Sequence, residues 1–258
     1  PFDRGREGGG VLVVIHDVTE QRKSQELQRE FVANVSHELR TPLTNIRSYA
    51  ETISDSVGDL PPDMEKKFLG VILNETDRMT HIVQDLLTLS RFDSGKDELK
   101  LTRFSFAEAV QSLYHAVYME ARRHDHQLKL ELEPDLPAIV ADRERIVQVM
   151  MNVVSNAIKY TPEHSRIELF AAPEGKFVRI CVTDDGPGIP EESRDKLFDM
   201  FYTLGKTRSD GRRGLGLGLA LCRSIVAAHG GVINVQNAAP HGACFRFTLP
   251  RTEVTLYE

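Results

Sequence analysis

Residues 27–57 read LQREFVANVSHELRTPLTNIRSYAETISDSV, and the spacing of the apolar side chains in this stretch is typical of a long amphipathic helix. The residues that recur every three or four positions are Leu27, Phe31, Val35, Leu39, Leu43, Ile46, Ala50, Ile53 and Val57. Between Thr19 and Gly58 the chain contains no glycine, and its one proline is Pro42. We therefore predict a helix of about 38 residues that begins at Thr19.

A second apolar stripe follows a short turn. The turn reads SVGDLPPD at residues 56–63, where Gly58 can end the first helix and the prolines can open the next. The apolar residues of the second helix, which runs to about Phe92, are Leu60, Met64, Phe68, Val71, Ile72, Met79, Ile82, Leu86 and Leu89. Two long helices joined by a short turn predict an antiparallel hairpin. Because one hairpin buries only part of both stripes, we expect two copies to form a four-helix bundle, and therefore a homodimer.

The chain after the hairpin has a mixed helical and extended pattern. Ser105 and Glu108 fit a capping box that opens a helix through about Arg122, and further helices are predicted near 142–159 and 216–229. The segments that resemble strands are QLKLELE, AIVA, RIELFAA, FVRICVTD, GVINVQN and ACFRFTLP. A β-rich layer with helices on one face is an α/β sandwich. The predicted fold class is therefore α+β, a dimerising helical hairpin followed by an α/β-sandwich domain.

Composition and charge disfavour some partners and some kinds of structure. The 258 residues carry a formal net charge of −6 at pH 7, so nucleic acid is not an expected partner. Cys181, Cys222 and Cys244 stand among apolar neighbours without CxxC spacing, and we expect buried thiols. No apolar run approaches the roughly 20 residues of a membrane helix. The first residue, Pro1, favours a fragment of a longer chain, so any membrane or sensing part would lie outside this sequence.

His37 stands on the polar side of the first predicted helix. It follows Val35 by two positions and is rotated from it by about 200°, which points the imidazole to solvent. An exposed imidazole is a nucleophile that can carry phosphate, although a histidine that only packs or caps is the alternative. Glu38 could accept the proton of the other ring nitrogen, and Thr41, one turn on, could position a water molecule. Pro42 should loosen the helix beyond the site, or be a tolerated kink.

Asparagines four residues apart mark the helix predicted near 142–159. In NVVSNAIKYTP, Asn152 and Asn156 share one face, with Lys159 a turn later and Tyr160 beside it. Amide oxygens suit Mg²⁺, an ammonium group suits phosphates, and an aromatic ring suits a purine. Two asparagines that cap or bridge polar surface are the alternative.

Glycines in three later segments allow close approach of the backbone to a ligand. DDGPGIP follows a predicted strand, so that Asp184 beside Gly186 and Gly188 could accept a hydrogen bond from an exocyclic amine, or simply form a tight turn. The second segment is a basic loop, which is either a lid over phosphates or an ordinary solvated loop. The third segment is the start of a helix, which could receive phosphate oxygens. Their residues are Gly205, Lys206, Arg208, Gly211, Arg212 and Arg213 in the loop, and Gly214, Gly216 and Gly218 at the helix start. Together the segments predict a nucleotide site.

These blocks in this order resemble the catalytic core of a bacterial sensor histidine kinase of the two-component type. SHELRTPL is similar to the H-box of that family, NVVSNAIKYTP to the N-box, DDGPGIP to G1, LFDMFY to the F-box and GLGLGLA to G2. By this resemblance we expect the longer bacterial protein to be anchored in the membrane by segments outside this sequence, with these residues as its cytoplasmic part. The resemblance covers about residues 19–250. It implies a dimerisation and phosphotransfer hairpin at 19–93, a linker at 94–104, a Bergerat-type ATP-binding domain at 105–250 and a tail at 251–258.

The resemblance also implies roles for individual residues. His37 would be the phospho-acceptor, Glu38 its base, and Thr41 the residue used to dephosphorylate the response regulator. Asn156 would hold Mg²⁺ with help from Asn152. The residues implied to contact ATP are Asn152, Asn156, Lys159, Tyr160, Asp184, Gly186, Gly188, Phe201, Lys206, Arg208, Gly214, Leu215, Gly216, Leu217 and Gly218. Among these, Asp184 would bind the adenine amino group.

The implied activity is ATP-dependent phosphorylation of His37 and transfer to an aspartate of a response regulator. Asn152 occupies the position at which related ATPases of the Hsp90, gyrase and MutL type carry a catalytic glutamate, which disfavours simple ATP hydrolysis. VLVVIHDVTEQRK resembles the end of a PAS sensor domain, so residues 1–18 are expected to be its remnant, and the H-box region is most similar to the WalK type. The alternatives are a chaperone-like ATPase, a serine or threonine kinase of the anti-sigma type, and a non-catalytic dimeric adaptor.

Overall fold

The computed structural model describes residues 18–56, 58–93, 99–204 and 216–251. Contacts divide the chain into two compact units, with the boundary in sequence between Ile72 and Leu73. Helices α1 (Thr19–Asp55) and α2 (Pro62–Asp93) form the helical region, and α2 contributes to both units. The strand predicted in VLVVIHDV lies, apart from its last residue, outside the described residues, as do Val57, most of the tail and residues 94–98 of the linker.

The first unit confirms the predicted helical hairpin. Helix α1 has 37 residues with Pro42 inside it, and α2 begins at Pro62, as the proline pair indicated. Gly58 adopts a left-handed φ of +87° in the turn, which a residue with a side chain adopts only with strain. The rings of Tyr49 on α1 and Phe68 on α2 lie 5.2 Å apart between centroids. This contact joins the end of α1 to the start of α2.

The apolar stripe of α1 is only partly buried in a single chain. Phe31, Val35, Leu39, Ile46 and Ile53 are half-buried, and Ala50 is exposed. Leu43 leaves 57% of its surface exposed, and other large apolar residues exposed on the first unit are Val32, Met64 and Leu69. Apolar surface of this extent on a helical hairpin usually packs against another protein surface. The exposure agrees with the expectation that two hairpins associate.

The second unit contains the α/β domain. Its helices after α2 are α3 (Phe106–Arg123), α4 (Arg143–Tyr160), α5 (Glu191–Arg194) and α6 (Gly218–Ala228), with a 3₁₀ turn at Lys196–Phe198. Its strands are β1 (Thr102–Ser105), β2 (Gln127–Leu132), β3 (Ala138–Ala141), β4 (Arg166–Glu174), β5 (Phe177–Asp184), β6 (Ile233–Asn237) and β7 (Ala243–Pro250). In the described chain, five strands pair in the order β2-β4-β5-β7-β6, and β1 pairs with β3. Only the β2–β4 pair of the five-stranded sheet is parallel.

One face of the five-stranded sheet is covered by helices, as predicted. Along β5 the residues Val178, Ile180 and Val182 are buried, and the residues between them are half-buried. Because successive side chains of a strand point to opposite faces, the buried set faces α3, α4 and α6 and forms the core. The opposite face carries Cys181 and Cys244, which are half-buried. The prediction of buried thiols is therefore correct for Cys222 and wrong for these two.

The segment predicted as a linker at 94–104 contains a strand near its end. Its last residues form β1, which pairs antiparallel with β3 through the register Thr102–Ala141 to Ser105–Ala138. The last turns of α2 also pack on the α/β domain, since Leu89 is buried in its core. Arg145 of α4 donates from Nη1 to Thr88 Oγ1 at 3.3 Å. These contacts explain why the boundary between the units falls inside α2.

Candidate functional site

The His37 side chain is exposed on α1. It leaves 72% of its surface to solvent, which agrees with the predicted polar position. Its Nδ1 lies 3.9 Å from Oε1 of Glu38, a distance at which charges attract but no hydrogen bond forms. Glu38 itself is mostly buried, with 19% of its side chain exposed. A carboxylate beside an accessible imidazole can accept a proton from it after a small side-chain rotation.

The helix around His37 is weakened without being interrupted. Pro42 has no N–H for the carbonyl of Glu38, and α1 nevertheless continues on both sides of it. The hydroxyls of Ser36 and Thr44 donate to the backbone carbonyls four residues earlier, at 2.7 and 2.8 Å. Thr41 Oγ1 lies 3.5 Å from the carbonyl oxygen of His37. Such back-bonding competes with the helical ladder, so this segment combines a stable helix with local ease of bending.

Helix α4 carries the two asparagines at the edge of the core. The Asp142 carboxylate caps the helix by accepting from the N–H of Arg145 at 3.2 Å. The apolar face of α4 is fully buried, whereas Asn152 and Asn156 are half-buried. Asn152 donates from Nδ2 to the carbonyl of Gly218 at 3.4 Å, which leaves its amide oxygen for another partner. The structure therefore brings the N-box helix next to the start of α6.

The end of α4 places a cation beside an aromatic ring. The Nζ atom of Lys159 lies 5.3 Å from the centroid of the Tyr160 ring. Tyr160 is the last residue of α4 and leaves 46% of its surface exposed. An exposed ring at this position can stack on a planar ligand, and the neighbouring ammonium group can approach an anion.

Asp184 is the buried carboxylate of the site. It ends β5, leaves 8% of its surface exposed, and accepts through Oδ1 from the N–H groups of Gly186 at 3.0 Å and Ala243 at 3.2 Å. Burial raises the pKa of Asp184, while these two backbone hydrogen bonds oppose that effect. No hydrogen bond from the described residues reaches Oδ2. The second oxygen is thus placed to accept from a ligand.

The glycines after Asp184 stand where no side chain fits. A Cβ atom on Gly186 would lie 2.8 Å from Thr161 Cγ2 and 2.9 Å from Asp184 Oδ1. Gly188 has a φ of +75°, and a Cβ there would lie 3.2 Å from both Asn237 Oδ1 and the carbonyl oxygen of Gly242. Thr161 follows α4, so its contact with Gly186 joins the N-box helix to the G1 loop.

The neighbouring aspartate has a different position. Asp185 Oδ1 accepts from the backbone N–H of Arg166 at 2.9 Å, at the start of β4. Its carbonyl oxygen accepts from Nδ1 of His241 at 2.8 Å. Asp185 therefore fixes the loop to the sheet, whereas Asp184 is the buried carboxylate of the pair.

The segment before α6 packs on the end of the F-box. Gly216 has a φ of +70°, and a Cβ there would lie 2.6 Å from the backbone carbon of Phe201. Phe201 donates its N–H to the carbonyl of Gly216 at 3.1 Å. Leu217 is 1% exposed, so any contact of this residue with a ligand would come from its backbone. Gly218 opens α6. The predicted site residues Lys206, Arg208, Gly214 and Leu215, like the rest of the basic loop, lie outside the described residues.

Sequence reasoning missed the residues that hold the G1 loop from outside its motif. Thr161, Asn237 and Ala243 touch that loop. Thr161 lies in the N-box-like motif without a predicted role, and Asn237 and Ala243 stand only at the termini of predicted strands. The one available signal was Gly242, a glycine directly before a strand, which is typical of close backbone approach. Their role depends on which strand ends become neighbours.

Two other kinds of site are not found in the part of the chain that the structure describes. No helix there has the length and apolar character needed to cross a bilayer. The described side chains also do not gather three or more histidine, cysteine, aspartate or glutamate residues around a possible metal position. Amide oxygens such as that of Asn156 are groups that suit Mg²⁺.

Comparison with protein families matches both parts of the chain. Residues 27–95 match the His Kinase A (phospho-acceptor) domain. Residues 141–253 match the histidine kinase-, DNA gyrase B- and HSP90-like ATPase family. The first match contains His37 and the second contains Asp184 and both asparagines of α4.

Individual relatives agree with these matches. The chain is 39% identical over 246 residues to the sensor histidine kinase WalK of Bacillus subtilis, which covers 95% of this chain and 40% of that protein. It is similar to the solved catalytic domain of histidine kinase ThkA, with 34% identity, a TM-score of 0.54, and coverage of 59% of this chain and 97% of that one. For histidine kinase ThkA in complex with the response regulator protein TrrA, the identity is 30%, the TM-score 0.69, and the coverage 91% and 65%. The chain thus spans about 40% of the length of the curated relatives it matches.

Proposed function

The chain belongs to the sensor histidine kinases of two-component systems, and we propose that it transfers the γ-phosphoryl group of ATP to His37 and then to an aspartate of a response regulator. The observation that carries this proposal is the presence, in one chain, of an exposed histidine on a phospho-acceptor helix and a buried carboxylate in an ATPase domain. A solved relative, ThkA, was captured with a response regulator. A chaperone-like ATPase or an anti-sigma kinase would leave the histidine-bearing hairpin without a role.

Asp184 would recognise the adenine ring. Its Oδ2 can accept a hydrogen bond from the exocyclic amino group, since Oδ1 is already held by Gly186 and Ala243. Gly186 and Gly188 leave room for the base beside the backbone, and the exposed face of Tyr160 can flank it. A carboxylate fixed before the ligand arrives loses little entropy on binding, which favours affinity.

The phosphate groups would lie between α4 and the start of α6. Asn156, assisted by the amide oxygen of Asn152, would hold Mg²⁺, which supplies neutralisation of phosphate charge when bound. Lys159 would meet a phosphate oxygen. The backbone of Gly214 to Gly218, together with Lys206 and Arg208, would enclose the phosphates at the start of α6.

His37 would perform the chemical step as a nucleophile. Its unprotonated ring nitrogen attacks the γ-phosphorus, a P–N bond forms, and the bond to the bridging oxygen breaks so that ADP leaves. Glu38 would accept the proton from the other ring nitrogen, which requires the 3.9 Å separation of Nδ1 and Oε1 to shorten. Orientation and charge stabilisation supply most of the rate enhancement in phosphoryl transfer.

This mechanism gives each region of the chain a separate role. We assign dimerisation and phosphotransfer to residues 19–93 and ATP binding to 105–250, with a joint between them that lets the ATP domain reach His37. The exposed apolar residues of the first unit support a homodimer. A PAS remnant at 1–18 and a membrane anchor elsewhere in the full-length protein stay predictions.

Labelling with ATP radioactive at the γ-phosphate tests the proposal. The native chain should acquire label that is lost in acid and stable in base, as phosphohistidine is, and His37→Ala should acquire none. His81→Ala is a matched control, because His81 is an exposed histidine on the other long helix. Label that persists in His37→Ala, or a folded native chain that binds ATP and stays unlabelled, would contradict the assignment.

A second activity is suggested by Thr41. Its hydroxyl lies on the same face as His37 and one turn away, where it could orient a water molecule towards a phosphorylated regulator. Thr41→Ala should slow dephosphorylation of the regulator and leave phosphorylation of His37 intact. Equal dephosphorylation by the native chain and this variant would defeat the idea.

A further inference from the structure

The turn between β6 and β7 lies against the loop that we assign to adenine binding. We call residues 237–243 the β6–β7 turn and residues 184–189 the G1 loop. The turn is closed by a hydrogen bond from the N–H of Ala238 to the carbonyl of Gly242 at 3.0 Å. Contacts from three positions of this turn reach the G1 loop. No motif identified in the sequence includes this turn.

Asn237 makes the most specific of these contacts. Its Oδ1 accepts from the N–H of Ile189 at 2.9 Å, and its Nδ2 donates to the carbonyl of the same residue at 3.1 Å. The side-chain amide thus pairs with both polar groups of one peptide residue, as a neighbouring strand would. Ile189 is buried, so both backbone groups need partners. An amide side chain offers an acceptor and a donor side by side in this way.

Steric contacts leave the loop little freedom beside Asn237. A Cβ atom on Gly188 would lie 3.2 Å from Asn237 Oδ1. A Cβ atom on Gly242 would lie only 1.8 Å from the carbonyl oxygen of Asp184. The backbones of the turn and the loop are therefore in direct contact. A change in the position of Asn237 must be transmitted to Gly188 and Ile189.

The same turn also holds the side chain of Asp184, the carboxylate that we assign to adenine binding. Ala243 begins β7 and donates its N–H to Asp184 Oδ1 at 3.2 Å. His241 donates from Nδ1 to the carbonyl of Asp185 at 2.8 Å. One end of the G1 loop is thus held at Asp184 by β7, and the other end is held at Ile189 by Asn237.

We propose that Asn237 is a positioning residue for ATP, which fixes the far end of the G1 loop through its paired hydrogen bonds to Ile189 so that Asp184 and Gly188 are correctly placed for adenine. This inference rests on the proposed function. Asn237 does not touch the reacting phosphate. Its loss should therefore weaken ATP binding while the rate of His37 phosphorylation at saturating ATP changes little.

Three variants test the proposal. Asn237→Ala removes both hydrogen bonds, and Asn237→Asp keeps the shape and the acceptor but loses the donor. We expect the dissociation constant for ATP to rise about tenfold in both, since two buried backbone groups lose a partner. Gln236→Ala is the matched control, because Gln236 is exposed on β6, as Asn237 is, and its side chain makes no bond to the loop among the described residues. Its dissociation constant should equal that of the native chain.

The pH dependence of Asn237→Asp separates positioning from a general structural role. When the introduced carboxyl group is protonated it can again donate to the Ile189 carbonyl and accept from its N–H. Its affinity for ATP, relative to that of the native chain, should recover as the pH falls from about 6 to about 4, the range in which an aspartate carboxyl group takes up its proton. The ionisable groups beside the turn and the loop, Asp184, Asp185 and His241, are the same in every variant, so the comparison with Asn237→Ala, which cannot recover, cancels their effect.

Different results would contradict the proposed function and the positioning role of Asn237. A native chain that does not bind ATP would defeat the proposed function itself. If the native chain binds ATP and both Asn237 variants bind it equally well, the positioning role is wrong. It is also wrong if both variants lose melting temperature and phosphorylation rate together without a pH-dependent recovery, because Asn237 would then only support the fold.

Discussion

Two adjacent aspartates show how neighbours in sequence acquire different roles. Asp184→Asn keeps an acceptor for Gly186 and Ala243 but replaces Oδ2 with an NH₂ group, which cannot accept from adenine. We expect ATP affinity to fall about 10- to 100-fold, the usual effect of losing a hydrogen bond to a charged group. Asp185→Asn is the control, since its amide oxygen can still accept from Arg166 N–H. Isothermal titration with ATP measures both, and equal affinities would contradict the assignment of Asp184.

The raised pKa of Asp184 also predicts a stability effect. Because the folded state binds the proton more tightly than the unfolded state, ionisation of Asp184 costs stability as the pH rises from the ordinary aspartate pKa through the raised value. At neutral pH the Asp184→Asn variant should therefore be more stable than the native chain. The difference should vanish below the unfolded-state pKa. Urea unfolding at several pH values checks this, and a variant less stable at neutral pH would disagree with it.

The three cysteines should differ in reactivity. Cys181 donates a hydrogen bond to Cys244, which raises the pKa of Cys181 and lowers the pKa of Cys244 to about 6. The Thr183 hydroxyl and the positive charge of Arg246 also lower the pKa of Cys244. Complete burial raises the pKa of Cys222 to about 12. Since the thiolate is the reactive form, iodoacetamide at pH 7 should modify Cys244 first and Cys222 only after unfolding.

Peptide mass spectrometry over time measures the order of modification. Cys181→Ala removes the donor to Cys244 and should slow its alkylation at pH 7. Equal rates at Cys244 and Cys222 in the folded chain would show that the sheet face does not activate the thiol.

At the scale of elements, the β6–β7 turn depends on Gly242 for space. Gly242 has a φ of +108° and touches the backbone of β5, whereas Gly175, with a φ of +58°, has nothing within 4 Å of the position that a Cβ would take. Gly175→Ala should cost about 1–2 kcal/mol from backbone strain alone. Gly242→Ala should cost about 3 kcal/mol or more, because two backbones must separate. Thermal unfolding measures the loss of stability in both variants. Equal losses would show that backbone strain, and not the lack of space for a Cβ atom, determines the effect.

Secondary structure was largely predictable from periodicity. The long helices α1 and α2, the Ser105 cap of α3 and the strands β2 to β7 all follow from local patterns. Strand β1 and the short helix α5 were missed. The four residues TRFS show no clear alternation and become a strand only because β3 offers a pairing edge.

At the scale of the whole molecule, the exposed stripe on α1 predicts association. Leu43→Glu would place a charge in the proposed apolar interface between two hairpins, and the dimer dissociation constant should rise at least about tenfold. Ser48→Glu, at an exposed polar position of α1, is the matched control. Sedimentation velocity measures both, with ATP affinity as a check that the second unit stays intact. A native chain that is monomeric at all concentrations would refute the dimer.

The sequence by itself determined the helical hairpin, the α/β layer, the solvent-facing position of His37 and the identity of the nucleotide motifs, because periodicity and glycine placement are local properties of the chain. Only the tertiary structure decided which backbone groups hold Asp184 and Asp185, that Cys181 and Cys244 share the outer face of the sheet, and that Asn237 holds Ile189. These facts depend on strand order and register, which bring together residues about 50 positions apart. Such pairings leave no periodic trace in the sequence, since each partner looks ordinary until the sheet has formed.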